Sequence, residues 1–379
     1  MATDMRIAEA PKEPLDNFVI EDAYVAWQRR EGIRVVEDFA FGDLGAIELS
    51  PWPRKGGAGA FINVPNDYLP NDAQLVEIAP KGQSEPERHM YEENVYVLSG
   101  HGATRIWLDG QEPDMFEWQE GSFFSIPLNA WYQHFNVSSA PLRYVAVTDA
   151  PPTMRRMRDD DFIFNNPFQF TSRYQSGTDQ FNGGKLFNRR VWQTSFVPNA
   201  QEMPLYGWKE RGAGGINVML EMANNAQKAH ISEFPVGTYK KGHRHGPGAH
   251  LVILSGEGFS LFWTKDDLSD IRKCDWKKGG MLIVPSDQCF HQHFNVGTTR
   301  ARYLALRPGT GGFLPPGKAG NKIEVSLKDG GGQLEYTDED KKIHEIFEAE
   351  LAKHGATCRM KAFVPWCHGE YGPTNERDT

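Results

Sequence analysis

The chain repeats itself. "KGGAGAFINV" at 55–64 returns as "RGAGGINV" at 211–218, "YVLSGHGATRIW" at 96–107 as "VILSGEGFSLFW" at 252–263, and "WYQHFNV" at 131–137 as "FHQHFNV" at 290–296. The matches keep their order. Their offset grows slowly, from 154 (Asn63 to Asn217) through 156 (Gly100 to Gly256) to 159 (Asn136 to Asn295). A period this long is a duplicated domain, not a solenoid unit. Whatever one half folds into, the other must fold into as well.

Each half is built from short apolar runs: "YVLSG", "SFFSIP" and "YVAV" in the first, "LVILSG", "MLIVP" and "YLAL" in the second. Gly, Pro, Asn and Asp separate them. Evenly spaced short strands with such breaks read as a sandwich or barrel. The chain therefore reads as all-β, with two tandem barrels at 46–155 and 205–312. An N-terminal arm (1–45), a linker (156–204) and a C-terminal extension (313–379) flank them. "EDAYVAWQRREG" in the arm reads as a short helix stopped by Gly32. "TDEDKKIHEIFEAELAKHG" in the extension reads as another, capped by Thr337 and ended by Gly355. Ile343, Ile346, Phe347 and Leu351 lie on one face of it. Both helices are expected to pack on the barrels or on a partner subunit.

Net charge is −9, with acids scattered and no basic run. That argues against nucleic acid and anionic lipid as partners. No apolar stretch reaches membrane-spanning length, and the N-terminus lacks the apolar core of a secretory signal. Cys274, Cys289, Cys358 and Cys367 form no C-x-x-C pair. A reduced, cytoplasmic homo-oligomer (dimer or higher) is the expectation.

Histidine is where the second half departs from the ordinary. Five of the twelve lie within 243–293: His243, His245, His250, His291 and His293. Alternate side chains of a strand share a face, so His243 pairs with His245 and His291 with His293. Neutral imidazole suits Fe, Mn, Ni, Zn or Cu. Surface histidines would have no reason to keep this spacing.

These residues resemble the cupin superfamily in its two-barrel form. Its first motif, G-x5-H-x-H-x3-E-x6-G, is matched by Gly237, His243, His245 and Gly256, with Ala249 in place of the glutamate. Its second is matched by Pro285, His291 and Asn295, with one extra residue between the proline turn and the histidine. The resemblance implies two double-stranded β-helix (jelly-roll) barrels with short flanking helices, and a metal held by His243, His245 and His291. "HRHGPGA" followed by "HQHFN" is similar to gentisate- and salicylate-type dioxygenases, which hold Fe(II) with three histidines. Those enzymes carry the metal in the N-terminal barrel; here the intact set is in the second. The resemblance implies Fe(II), O2 and a small aromatic or hydroxylated acid. A redox-neutral decarboxylase, lyase, isomerase or hydrolase on a similar acid is the rival enzyme class, and a non-catalytic small-molecule binder the rival outside enzymes.

His293 is expected to assist the metal or move protons. His250 has the wrong parity for the cavity unless a bulge at "GPG" reverses it, and is carried as a second catalytic candidate. Arg307 and Arg244 are candidates to meet a substrate carboxylate. Trp131, Phe135, Phe262, Trp263, Phe290 and Phe294 are core residues or, where they face inward, pocket walls. In the first half, Glu87 and His89 stand where His243 and His245 stand, Glu93 keeps the motif's carboxylate, Tyr132 replaces His291, and His134 matches His293. Glu87, His89, Glu93 and His134 either hold a hard cation such as Mn(II) or form a buried polar cluster in a barrel that has lost its metal. The second reading is preferred.

Overall fold

The computed structural model describes residues 20–65, 69–187, 190–285, 289–309 and 324–372. Each half is a large sheet closed by a three-stranded one. In the first half Asp72–Ile78, Leu142–Thr148, Glu93–Ser99 and Phe123–Ile126 lie side by side, faced by Trp131–Asn136, His101–Trp107 and Asp114–Gln119. In the second, Lys228–Phe234, Ala301–Arg307, Ala249–Ser255 and Met281–Val284 are faced by Phe290–Asn295, Glu257–Trp263 and Arg272–Lys277. The order is the same in both. The chain is two tandem cupin barrels, all-β, with short flanking helices.

The segments read as arm and linker do more than connect. Arg34–Glu37 runs parallel to Gly57–Asn63 in the first barrel, and Val191–Thr194 runs parallel to Ile216–Met222 in the second. Each then crosses to the other barrel. Ala40 and Phe41 pair with Leu282 and Met281, while Phe196 and Val197 pair with Phe124 and Phe123. The two crossings are reciprocal, so the barrels are stitched together by backbone hydrogen bonds. Side chains join them too. Ile62, Leu75 and Val145 of the first large sheet share one buried cluster with Val218, Leu220, Val252 and Leu304 of the second. Burial of such apolar area is the main favourable term holding the halves together.

The N-terminal helix is Ala23–Glu31. The Asp22 carboxylate accepts from the Tyr24 and Val25 amides, and Gly32 ends it at φ 69°. Trp27 is buried against Phe61 of the first barrel, their rings 5.1 Å apart and steeply tilted. The C-terminal helix is Lys341–His354, ended by Gly355 as expected. Its cap is Asp340, not Thr337. The preceding turn spends Glu339 elsewhere: its carboxylate is drawn inward to Tyr239 and to Gln292 of the second barrel, so the helix starts only after it. Ile343, Phe347 and Leu351 are buried as expected, with His344 beside them, while Ile346 is only partly covered. Among the described residues, no helix is long and apolar enough to cross a membrane.

Candidate metal centre

His243 and His291 lie side by side on adjacent antiparallel segments of the second barrel. Their backbones exchange two hydrogen bonds, His243 N–H to His291 O at 3.1 Å and His291 N–H to His243 O at 2.8 Å. His245, two residues on, falls on the same side. Ring nitrogens of His243, His245 and His291 all lie within 4.8 Å of one another. His291 Nδ1 is 3.2 Å from the Cys289 carbonyl, which fixes that nitrogen as the donor and turns Nε2 to the cavity. His245 Nδ1 is buried with no partner. Burial holds His243 and His291 well below the ordinary histidine range, with Arg211 adding to the effect at His243 and His245 at His291. Burial, Arg307 and Arg211 bring His245 down to about 4. All three are therefore neutral near pH 7, the state in which imidazole binds a metal. Three neutral donors at one point, one of them with an unpartnered ring nitrogen, fit a divalent transition cation. One contact would have to yield to it: Arg211 Nη2 lies 2.6 Å from His243 Nδ1.

Ala249 lines the cavity at the place of the motif's glutamate. His293 lines it as well, with Nδ1 held 2.7 Å from Ser260 Oγ, which in turn accepts from the Trp276 indole. His293 is not among the three gathered ring nitrogens. His250 is elsewhere. Strand parity holds at "GPG", so His250 turns away from the cavity, buried with neither ring nitrogen bonded. It takes no part in the cluster, and burial alone lowers it to about 3. Arg307 lines the cavity, whereas Arg244 is exposed and lies over the Phe290 ring. Trp131, Phe135, Phe262, Trp263, Phe290 and Phe294 form none of the walls; the aromatic wall residues are Trp208 and Tyr303, beside the histidines. Phe290 and Phe294 point to the opposite side of the strand that carries His291 and His293. There Phe290 stacks on Trp263 and Phe294 on Phe259, under the C-terminal helix.

Of the two cations in this wall the sequence pointed to Arg307 and not to Arg211. Arg211 is 2% exposed and is held by Gln333 Oε1 at 2.9 Å, so the C-terminal extension closes this side. Behind the wall, Lys240 is buried against Ser232 and Tyr303, and burial together with Arg211 pulls it well below the ordinary lysine range. His230, also in the wall, has an unpartnered Nδ1. Among the described residues no Asp or Glu lines the cavity, and neither Arg211 nor Arg307 is ion-paired. The free space is about 30 Å3.

The first barrel has the same frame and different contents. Glu87 and Tyr132 lie side by side as His243 and His291 do. Thr104 holds His134 Nδ1 at 2.8 Å and accepts from Trp118, mirroring Ser260, His293 and Trp276. At the centre is an ammonium. Lys55 Nζ lies 2.6 Å from Glu87, 3.1 Å from the Tyr132 hydroxyl and 3.8 Å from Glu93. His89 Nε2 completes the cluster, 3.1 Å from Glu93 and 3.0 Å from Tyr132. Glu87, His89, Glu93 and His134 do not gather around one point as the three histidines do. Lys55 and Arg211 are counterparts: each ends a single-turn 3-10 helix that follows a tryptophan, Trp52 or Trp208.

Residues 74–148 match the family model for the Cupin domain. The match falls on the first barrel, which keeps the motif's carboxylate. No curated protein matches the chain. Among solved structures, oxalate decarboxylase from Bacillus subtilis at pH 4.6 is similar, with 13% identity over 72% of this chain and 77% of that one, at a TM-score of 0.49. A structure concerned with substrate binding and reaction specificity in oxalate decarboxylase gives 13% identity over 74% and 79%, again at 0.49.

Proposed function

We propose that this bicupin is a metal-dependent enzyme acting on a small carboxylic acid in its second barrel. The observation that carries the reading is the cavity wall: three neutral histidines at one point, two guanidiniums without carboxylate partners, and no acid among the lining residues. Buried cations without counter-ions are costly, and an anionic ligand relieves that cost. His243, His245 and His291 would hold the cation, which when bound supplies Lewis-acid polarisation of the substrate's oxygens or a redox centre. Arg307, whose Nε is buried without a partner, would grip the substrate carboxylate. His293, oriented by Ser260, would hold or move a proton at its Nε2.

Redox-neutral cleavage, of the decarboxylase or lyase kind, is the reaction class put first. A cavity of about 30 Å3 has room for little more than one or two water-sized groups, which favours a compact acid over an aromatic ring. Ala249 supports the second reading, an Fe(II) dioxygenase, because it leaves the ligand set without a carboxylate. An oxygen electrode separates the two. Turnover of short-chain acids without O2 consumption supports the first, stoichiometric O2 uptake the second, and binding without turnover neither.

Arg307→Ala should raise KM for the acid roughly ten- to a hundredfold, since a charge-assisted hydrogen bond contributes about 1.5–3 kcal/mol. Bound metal should stay at the wild-type level. Arg244→Ala, on the exposed side, should leave KM unchanged. Equal effects of the two variants in steady-state kinetics would remove Arg307 from the binding site.

A further inference from the structure

A second cluster of ligand-type side chains lies outside both barrels. His344 and Glu348 are one turn apart on the C-terminal helix Lys341–His354, and Cys358 and Cys367 come from the segment that folds back over it. One ligand atom from each lies within 4.8 Å of all the others. His344, Cys358 and Cys367 are buried, while the Glu348 side chain is 44% exposed. Both cysteines are free, their sulfurs 3.5 Å apart. With Zn–S bonds of about 2.3 Å, two thiolates on a tetrahedral cation stand about 3.8 Å apart. The pair is already near that spacing.

The surroundings are arranged as they are around a metal ligand. His344 Nδ1 is 3.1 Å from the Tyr239 hydroxyl, which itself bonds to Glu339. That contact occupies Nδ1 and leaves Nε2 toward Glu348, 3.1 Å away, on the side of the sulfurs. The Gly369 amide donates to Cys367 Sγ at 3.3 Å, a contact that favours the thiolate.

We propose that His344, Glu348, Cys358 and Cys367 form a structural zinc site, with the exposed Glu348 as the ligand at the solvent edge. Two sulfur ligands select zinc over the harder ions that an all-nitrogen site accepts. Binding exchanges one Zn(II) for two thiol protons, with no redox change. The site pins residues 358–367 to the helix. Through Tyr239, Glu339 and Gln292 it reaches the strand Phe290–Asn295 that carries His291 and His293. It does not depend on the reaction proposed for the barrel.

The test uses the full-length protein purified under reducing conditions and reconstituted with Co(II). A thiolate-to-cobalt charge-transfer band in the near ultraviolet is expected, with the strong visible bands of a tetrahedral ion. The three-histidine barrel site has no sulfur and cannot give the charge-transfer band. His245→Ala should therefore keep it, and Cys358→Ser and Cys367→Ser should lose it. Tyr239→Phe should weaken zinc binding roughly ten- to a hundredfold. If the cysteine variants fail to fold, wild type alone decides. Zinc should protect Cys358 and Cys367 from alkylation, and a chelator should expose them. No charge-transfer band with four freely alkylated cysteines overturns the proposal. So does an intact mass lower by two hydrogens with only two titratable thiols, which would mean a disulfide in place of the metal.

Discussion

His245→Ala will lose bound metal and turnover together while the protein stays folded. His245 contributes little to packing: it is only partly buried, its Nδ1 bonds to nothing, and its neighbours are the rings of His243 and His291 at 5.3 and 4.9 Å. The frame that positions it belongs to other residues, since the reciprocal backbone bonds run between His243 and His291. Removing the ring therefore deletes one of three donors and leaves the barrel standing. Metal analysis of the purified variant should show the barrel's equivalent gone, and turnover of any acid the wild type accepts should fall by orders of magnitude. Circular dichroism and the unfolding midpoint should change little. His89→Ala is the matched control, at the equivalent place in the first barrel. It should leave the second-barrel metal and turnover near wild type, because its own cluster is organised around Lys55. Loss of metal and turnover in both variants would mean that the first barrel shares the chemistry. Full metal and full turnover in His245→Ala would mean that the ligands are assigned wrongly.

The fold was legible because the chain states it twice. Each strand run in one half has a partner in the other, and the candidate histidines are local: His243 and His245 two apart on one segment, His291 and His293 two apart on another, with period-2 geometry deciding which way they face. The same rule faces His250 away from the cavity, and His250 is absent from the cavity lining, against its place as a catalytic candidate. What was not legible is long-range. Arg211 reaches the cavity from a single helical turn before the barrel's first strand, 32 residues from His243. Its signal was present as the opening residue of "RGAGGINV" against the lysine of "KGGAGAFINV", two cations at one place in a repeat. Lys55, the counterpart, decides the first barrel's state, and no spacing rule points from it to Glu87. The strand exchange between arm, linker and opposite barrels was missed because Ala40–Phe41 and Phe196–Val197 are too short to carry a pattern. Cys358 and Cys367 were passed over because they lack a familiar spacing; only the fold brings them to His344.

Lys55→Met will destabilise the protein by about 3–5 kcal/mol near neutral pH, the cost of stripping one partner from a buried ion cluster. The side chain is fully buried, and methionine matches its length without its charge. Burial pulls the ammonium's pKa down, but the facing carboxylates of Glu87 and Glu93 outweigh that and raise it. Burial likewise pushes the Glu93 carboxyl up, yet Lys55 and the His89 contact hold it at about 2. One oxygen of each acid, Glu87 Oε2 and Glu93 Oε1, already lacks a partner, so losing the ammonium leaves the two carboxylates still shorter of donors. The pH dependence tells this apart from a simple packing defect. In wild type the folded Glu93 pKa lies below its ordinary 4.5, so its stabilisation is present above that value and is lost only as pH falls through about 2. In Lys55→Met the same carboxyl is buried without its main cationic partner, and its pKa should rise. Its penalty is then felt at neutral pH and relieved as the group protonates. Asp72 and Asp149, raised to about 6 and about 7 mainly by burial, act in both proteins and cancel in the difference. Urea unfolding at neutral and mildly acid pH should therefore show the gap between wild type and variant narrowing on acidification. Adding Glu87→Gln and Glu93→Gln to the variant should restore much of the loss, because a neutral cluster needs no cation. A constant gap at all pH values, with no recovery in the triple variant, would mean that Lys55 acts by shape alone. Mn(II) stabilising Lys55→Met but not wild type would show that a divalent cation can take the ammonium's place. The first barrel would then differ from a metal site by one side chain, with the cation it needs supplied by its own chain.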